Sequence, residues 1–340
     1  MKRLVLCCDG TWSSPWQGSP TNVVRFYNDL AERGPDGVRQ VASYRKGVGT
    51  TPFERLRGGV FGYGLSREVR NAYAWVVEHF EPGDEIWALG FSRGAFTARS
   101  TVGLIRKAGV LRREESGRVD EAYDLYRRAD VRPSDPAPTA FREAHSHETR
   151  IRFVGVWDTV GALGVPVSRV PLLRRINQRW AFHDTQLSSH VDAAYHAVAV
   201  DERREPFRPT LWEGRVDEVP GQVVEQVWFA GTHSDVGGGT KDDALADLTL
   251  WWMQQRARTE GLGLRDGAER RDPAWTTGRI HESRTGVFRL SKTLERPIGV
   301  VDPVHERAAS TAVERLDLDA SYRPPELERY LARGGAVQQL

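Results

Sequence analysis

Continuous apolar runs alternate with amphipathic stretches along the first hundred residues of the chain. The runs at residues 3–8 and 85–90 predict strands buried on both faces, as in a parallel sheet. Residues 19–33 and 66–80 repeat apolar side chains at helical spacing, and a second strand is predicted at 38–44. This alternation indicates an α/β fold that is α/β-hydrolase-like, with a mostly parallel central sheet and helices on both faces.

The second half of the chain continues the pattern less regularly. The predicted elements there are strands at 150–157 and 223–230 and helices at 190–201 and 244–258. After Gly263 the periodicity weakens. We therefore expect one domain over residues 1–340, in which a core to about residue 260 is followed by an irregular extension, 261–340, that packs on it.

Two stretches interrupt the alternation and are predicted to be insertions or a lid. Prolines concentrated between residues 132 and 138 indicate a surface loop or insertion over 130–150. Residues 165–190 interleave apolar residues with arginines, a pattern that suits peripheral contact with anionic lipid or an ordinary solvated helix. A third stretch, from Gly47 to Gly64, is rich in glycine and matches no Walker spacing. It is interpreted as a flexible rim of the active site, and the alternative is an anion cradle of backbone N–H groups.

Composition sets few limits on function. The chain has 340 residues, 39% of them hydrophobic, and its net charge of +2 gives no electrostatic reason to expect a nucleic-acid partner. Its two cysteines, Cys7 and Cys8, are adjacent in an apolar run, which suits neither a disulfide nor a zinc site and is typical of buried thiols in a reducing compartment. No stretch resembles a signal-peptide core or a membrane span, so a cytoplasmic location is the expectation.

The candidate chemistry centres on Gly90-Phe91-Ser92-Arg93-Gly94. A predicted strand leads into this pentapeptide, and a run of small residues with helical character follows it. A strand, a glycine-flanked turn and a helix form the context of the Gly-x-Ser-x-Gly nucleophile elbow. The glycines are needed because the serine occupies a strained turn between a packed strand and helix. Ser92 is therefore the candidate nucleophile.

A serine nucleophile needs a histidine that takes its proton and a third group that orients the histidine. In α/β-hydrolases these groups occur in the chain order serine, acid, histidine. Asp158 and His233 each follow a predicted strand, so Ser92, Asp158 and His233 form the candidate triad. The rival bases and acids are His183, His190, His196, His281, Asp201 and Asp235.

Negative charge that develops on the substrate's acyl oxygen needs preorganised donors. The backbone N–H of Arg93 is one expected donor, and the loop after the first strand is expected to supply the other, from Thr11 or, as second choice, Gly10. The Arg93 side chain either binds a phosphate or carboxylate of the substrate or forms an exposed salt bridge. Three further residues are expected to contact substrate or support the loops: Asp9, Asp235 and His281.

Several longer motifs resemble one family. They are Cys8-Asp-Gly-Thr-Trp12 with Thr21-Asn22-Val23, Gly47-Val-Gly-Thr50, Gly90-Phe-Ser-Arg-Gly-Ala-Phe-Thr-Ala-Arg99, Val156-Trp-Asp-Thr-Val-Gly161, Asp201-Glu-Arg-Arg204 and Val227-Trp-Phe-Ala-Gly-Thr-His-Ser-Asp-Val-Gly-Gly-Gly239. The chain resembles the domain of unknown function 2235 family, which includes the catalytic domains of a class of bacterial type VI secretion phospholipase effectors. The resemblance implies an α/β-hydrolase fold with Ser92, Asp158 and His233 as the triad.

Residues and resemblance together favour a carboxylic ester hydrolase, lipase- or phospholipase-like, that forms an acyl-enzyme and needs no cofactor or metal. The resemblance implies phospholipid cleavage for the effector members, and fold alone does not fix the substrate of this chain. One alternative is a metal-dependent phosphoesterase, and a second is a non-catalytic binding module on a hydrolase scaffold. The metal ligands in the first alternative are Asp9, Asp158, Asp235 and His233.

Overall fold

The computed structural model describes residues 1–10, 19–47, 60–161, 186–214, 219–265, 271–290 and 292–340. Its strands are β1 Arg3–Cys8, β2 Gln40–Arg45, β3 Glu85–Phe91, β4 Val110–Leu111, β5 Ser146–His147, β6 Ile151–Trp157, β7 Val191–Ala199, β8 Val223–Phe229, β9 Glu306–Ala309 and β10 Val337–Gln338. Eight of them form one sheet in the order β10-β9-β8-β7-β6-β3-β1-β2, and all neighbours in it are parallel. The remaining two, β4 and β5, form a small antiparallel pair.

Helices cover both faces of the large sheet. The α-helices are α1 Asn22–Asn28, α2 Val60–His79, α3 Arg93–Ala108, α4 Val119–Arg127, α5 Pro136–His145, α6 His233–Gly237, α7 Ala244–Thr259, α8 Ser310–Leu318 and α9 Pro325–Ala332. Short 3₁₀ segments lie at Arg113–Arg118, Glu205–Phe207, Pro273–Thr277 and Gly286–Leu290. No helix in these described parts of the chain is both long enough and apolar enough to cross a bilayer.

Strand β1 shows how the core is divided. Its side chains are all buried and alternate between two apolar clusters, as the period of a strand requires. Val5 and Cys7 belong to the cluster that contains Trp252 of α7, whereas Leu6 and Cys8 belong to the cluster that contains Tyr73 of α2. The predicted parallel sheet with helices on both faces is therefore confirmed.

The helix predicted at residues 190–201 is wrong. Residues 191–199 form β7, which pairs in parallel with β6 on one edge and β8 on the other. Alanines in this segment favour a helix when considered alone, but small side chains also fit a central strand that is covered on both faces. Tertiary pairing thus outweighs local propensity here.

The surface loop expected over 130–150 is shorter than predicted. Helix α5 begins at Pro136, and Asp135 before it has an extended backbone. Proline is tolerated in the first turn of a helix because the N–H that it lacks has no acceptor within the helix. The glycine-rich rim is also shorter, since Gly62 and Gly64 lie inside α2. Most of the predicted lid at 165–190 lies outside the described residues, which resume at residue 186.

The extension after residue 260 is more regular than expected. We call residues 271–340 the C-terminal segment. It contributes α8 and α9, and its strands β9 and β10 extend the central sheet beyond β8. The weak periodicity of the sequence there reflects short elements: β9 has four residues and β10 has two. This segment continues the sheet that carries the candidate site.

Candidate active site

Ser92 lies at a strained turn between β3 and α3. Its backbone has φ 58° and ψ −123°, and among the described non-glycine residues only Asp158, with φ 35°, shares a positive φ. A Cβ atom on Gly90 would lie 2.7 Å from the backbone of Ala95, and one on Gly94 would lie 2.2 Å from the carbonyl oxygen of Cys8. Both glycines are therefore required by close backbone contacts, as the elbow motif predicts.

The structure brings together the three residues of the predicted triad. His233 Nε2 lies 2.9 Å from Ser92 Oγ, and His233 Nδ1 lies 2.5 Å from Asp158 Oδ2. The residues follow β3, β6 and β8 respectively, so the carboxyl edge of the parallel sheet gathers them. All three are at most 5% exposed. In this order the carboxylate can orient the imidazole, and the imidazole can accept the serine proton.

Burial and charge act in opposite directions on the Asp158–His233 pair. Burial lowers the pKa of His233 below its ordinary value, and the carboxylates of Asp158 and Glu202 partly offset this effect. Burial alone would raise the pKa of Asp158, but Arg296 and His233 hold it well below its usual range. The resting state is therefore an ionised Asp158 beside a neutral His233, which is the form that a general base needs.

Two aromatic rings enclose His233. The ring centroid of Phe91 lies 4.6 Å from that of the imidazole, and Phe207 approaches edge-on at 4.8 Å. The Arg204 guanidinium stacks on Phe207 at 3.7 Å from the ring centroid. Such apolar faces keep water away from the base, so the hydrogen bonds of the triad act in a medium of low dielectric constant.

The loop after β1 is held by Asp9. Its buried carboxylate accepts hydrogen bonds from the Thr21 hydroxyl at 2.9 Å, from the Tyr44 hydroxyl at 2.6 Å and from the Gly10 N–H at 2.6 Å. Gly10, the second choice as an oxyanion donor, thus donates its N–H to the Asp9 carboxylate in this structure. Thr11, the first choice, lies outside the described residues.

Arg93 is the first residue of α3, so its backbone N–H lies at the positive end of the helix dipole beside Ser92. Its side chain lines a small cavity together with Arg45, Lys46 and Glu68. Burial lowers the pKa of the Arg93 guanidinium to about 10, and it remains a cation at neutral pH. The roles expected for this residue, with the N–H as an oxyanion donor and the side chain as either an anion ligand or a salt-bridge partner, stay predictions.

Asp235 and His281 support the loop that carries His233. Asp235 accepts hydrogen bonds from the N–H and the hydroxyl of Thr232, both at 2.8 Å, in the capping box of α6. Its other oxygen lies 2.6 Å from His281 Nδ1. Asp201, a rival acid, accepts the N–H of Gly231 at 2.7 Å and does not contact His233 in the described structure.

The other histidines considered as the base are either used differently in the fold or lie outside the described residues. His196 is fully buried in β7, and its Nε2 accepts the N–H of Thr159 at 3.1 Å. Burial lowers its pKa to about 3, so it stays neutral and supports the turn after β6. His190 lies at the opposite end of β7, just before Val191, and His183 lies outside the described residues.

Sequence reasoning missed two charged residues at the site. Arg296 donates to Asp158 Oδ1 at 2.7 Å and to Oδ2 at 3.1 Å. Glu202 accepts the N–H of His233 at 3.3 Å and pairs with Arg204 at 2.7 Å. Glu202 belongs to the motif Asp201-Glu-Arg-Arg204, which carries part of the family resemblance and therefore indicates a role for it. Arg296 lies in a weakly periodic stretch with no motif, so nothing local indicates its role.

The three carboxylates that the metal-dependent alternative needs as ligands accept hydrogen bonds from protein groups in this structure. Asp9, Asp158 and Asp235 are bound by separate sets of donors, and within the described ranges no three metal-ligating side chains form a group. The Arg296 guanidinium already pairs with Asp158 at 2.7 Å, and its positive charge would repel a divalent cation bound by the same carboxylate.

Fold and site together define an α/β-hydrolase-like protein with a nucleophile elbow. The family model of the catalytic domain of Tle1-like type VI secretion phospholipase effectors matches residues 2–256, and the chain belongs to this family. The resemblance predicted from the motifs is thereby confirmed. The family is one of phospholipase catalytic domains, so membership places the chain in the hydrolase class.

Similar proteins share only part of their length with this chain. An uncharacterized protein of Saccharomyces cerevisiae, YEL023C, is 31% identical over 231 residues, which are 61% of this chain and 32% of that protein. This chain therefore spans about a third of its yeast relative. Because a relative occurs in yeast, membership of the family does not by itself indicate a bacterial origin.

Two solved structures are distantly similar. An uncharacterized protein from Pseudomonas aeruginosa has 18% identity and a TM-score of 0.49, over 83% of this chain and 48% of that one. The Tle1 effector bound to the VgrG spike of the type 6 secretion system has 17% identity and a TM-score of 0.42, over 70% of this chain and 51% of that one.

Proposed function

We propose that this chain is a serine hydrolase that cleaves carboxylic esters, with phospholipids as its substrate class. The observation that carries the proposal is the continuous set of contacts from Ser92 Oγ through His233 to Asp158, with distances of 2.9 and 2.5 Å. Membership in a family of phospholipase catalytic domains supports the choice of substrate class.

The proposed reaction has two halves. Ser92 Oγ attacks the acyl carbonyl carbon while His233 Nε2 takes the serine proton, and Asp158 stabilises the imidazolium. His233 then gives that proton to the departing alcohol oxygen, which leaves an ester between the acyl group and Ser92. Water attacks this acyl-enzyme by the same steps and releases the acid. The N–H groups of Arg93 and Thr11 are the proposed oxyanion donors.

An activity assay with covalent labelling tests the proposal. The purified chain is assayed with short and long p-nitrophenyl esters and with phospholipid vesicles, and it is treated with a fluorophosphonate probe. We expect Ser92→Ala to lose at least about 10⁴-fold in kcat and to lose all labelling. Ser100→Ala is the matched control, because Ser100 is a buried serine two turns further along the same helix. Full activity in Ser92→Ala would overturn the serine mechanism.

The same assay separates the alternatives. A metal-dependent phosphoesterase would lose activity on addition of a chelator and would not need Ser92 as a nucleophile. A non-catalytic binding module would neither turn over any ester nor react with the probe. The arrangement of the triad favours neither outcome, because each needs only some of the three residues.

A further inference from the structure

Arg296 contacts the triad from the C-terminal segment. Its guanidinium is 1% exposed and binds Asp158 through both terminal nitrogens. The same two nitrogens donate to the carbonyl oxygens of Ala199, at 2.7 Å, and Phe207. One side chain thus ties the triad acid to the end of β7 and to the residue that packs on His233.

The hydrogen bonds of Arg296 both offset the cost of burying its charge and fix the orientation of Asp158. A buried guanidinium is costly unless its donors are satisfied. Here the Asp158 carboxylate and two carbonyls accept from both terminal nitrogens, whereas Nε has no hydrogen-bond partner among the described residues. The bidentate fork also fixes the plane of the Asp158 carboxylate, so that Oδ2 faces His233 Nδ1. Asp158 sits at a positive φ, a backbone state that neighbouring contacts must hold.

We propose that Arg296 is a positioning residue of the triad: it fixes Asp158 against His233 and, by neutralising the carboxylate, lowers the proton affinity of the Asp158–His233 pair. The inference rests on the proposed serine-hydrolase function for its catalytic consequence. It also lies beyond the family match, which ends at residue 256, so the C-terminal segment completes the site.

The sign follows from electrostatics. A positive charge beside the Asp158–His233 pair disfavours adding a proton to it, whichever of the two atoms carries that proton. Among the described residues, Glu202 and Arg204 also act electrostatically on His233, and they form their own ion pair. His196 is neutral, because burial lowers its pKa to about 3. Loss of Arg296 should therefore raise the proton affinity of the pair.

Four variants, together with Asp158→Asn alone as the reference for the double variant, test the proposal in the full chain. Arg296→Met removes the charge and the fork, whereas Arg296→Lys keeps the charge and loses the fork. Arg315→Met is the control, because Arg315 is another buried arginine of the C-terminal segment and donates to the carbonyls of Thr276 and Gly278. The double variant Asp158→Asn with Arg296→Met removes the ion pair as a unit, which avoids leaving one buried charge unpaired.

Two readouts are compared. The first is the acid limb of kcat/KM against pH with a p-nitrophenyl ester. The second is the titration of His233 by ¹⁵N NMR, which needs no turnover; His233→Gln identifies its signal among the nine histidines. Fluorophosphonate labelling of the wild type reports separately on the proposed function, so failure of that function leaves the NMR test intact.

The expected result is a shift that follows the charge. Arg296→Met should raise the His233 pKa and the acid limb by about one unit and lower kcat/KM by about 10- to 100-fold. Arg296→Lys should keep the wild-type pKa with reduced kcat/KM, and Arg315→Met should move neither. In the Asp158→Asn background, Arg296→Met should add little further loss of kcat/KM.

An unchanged His233 pKa in Arg296→Met would overturn the proposal, and so would a pKa shift in Arg296→Lys as large as that in Arg296→Met. If Arg296→Met does not fold, the test rests on Arg296→Lys, and a kcat/KM equal to that of the wild type in this variant would overturn the proposal.

Discussion

The two halves of the site are held in different ways. The nucleophile half, Gly90 to Gly94, is fixed by its own backbone and by the end of the neighbouring β1. The acid–base half, Asp158 and the His233 loop, depends on side chains that are far away in the chain. These contacts from the C-terminal segment are Arg296 to Asp158, Ser283 to Glu202, His281 to Asp235 and Tyr322 to Asp201.

The difference follows from what each half must do. A nucleophile needs one strained turn, which a pentapeptide with two glycines can supply. A general base needs a fixed ring orientation and a tuned charge, and these depend on every group packed around it. Long-range ion pairs and hydrogen bonds therefore concentrate on the acid–base half. Substitutions in the nucleophile half should therefore act through backbone packing, and those in the acid–base half through the charge and orientation of His233.

The largest effect on stability is expected in the nucleophile half, from Gly94→Ala. The new Cβ would lie 2.2 Å from the Cys8 carbonyl oxygen and 2.4 Å from that of Asp9, so α3 must move away from β1. We expect a loss of at least about 3 kcal/mol in the free energy of unfolding, measured by urea denaturation. Activity should fall as well, because Ser92 moves with the helix.

Gly117→Ala is the matched control for this substitution. A Cβ at Gly117 would contact nothing within 4 Å, and its φ is not positive. Its free energy of unfolding should change by no more than about 1 kcal/mol. Equal stability of the Gly94→Ala and Gly117→Ala variants would contradict the view that the elbow is held by backbone contact with β1.

This contrast also explains what the sequence could reveal. The elbow is a local pattern, so Ser92 and the flanking glycines were predictable from five residues and their neighbours. Asp158 and His233 were predictable because parallel strands bring their carboxyl ends to one edge. Arg296 was not, because the approach of a residue to one 138 positions earlier is a tertiary property with no local signature. The strand at 191–199 was missed for the same reason, since its pairing on both edges decides its conformation.

A smaller effect, in stability, is expected from Asp201→Asn in the acid–base half. Burial raises the pKa of Asp201 to about 6, and its Oδ2 accepts hydrogen bonds from the Gly231 N–H and the Tyr322 hydroxyl. A carboxyl whose pKa is raised on folding binds its proton more tightly in the folded state. Its stabilising contribution is full below the unfolded pKa, near 4, and is lost as the pH rises through about 6.

Asparagine keeps an acceptor oxygen at this position without a charge. We expect Asp201→Asn to be more stable than the wild type by about 1 to 3 kcal/mol at pH 8, with a smaller difference at pH 5, in urea denaturation at both values. Asp124→Asn, on the exposed face of α4, is the control and should change the free energy of unfolding by no more than about 0.5 kcal/mol. A variant that is less stable than the wild type at pH 8 would show that the Asp201 charge strengthens the link between the His233 loop and the C-terminal segment.

The smallest effect tests the charge balance at His233 itself. The Glu202 carboxylate raises the pKa of His233, and Arg204 lowers it. Glu202→Gln removes the first influence and leaves the second uncompensated. The acid limb of kcat/KM should therefore move to lower pH by about one unit, in the same direction as the effect of burial on the His233 pKa.

Glu225→Gln is the control for this shift. Glu225 pairs with Arg256 at 2.9 Å on β8, the strand that leads to the His233 loop, and its loss should leave the limb unmoved. The direction matters more than the size, because Glu202→Gln and Arg296→Met remove opposite charges and should move the limb in opposite directions. If both variants moved it the same way, the shift would come from a displaced imidazole, and geometry rather than charge would set the basicity of His233.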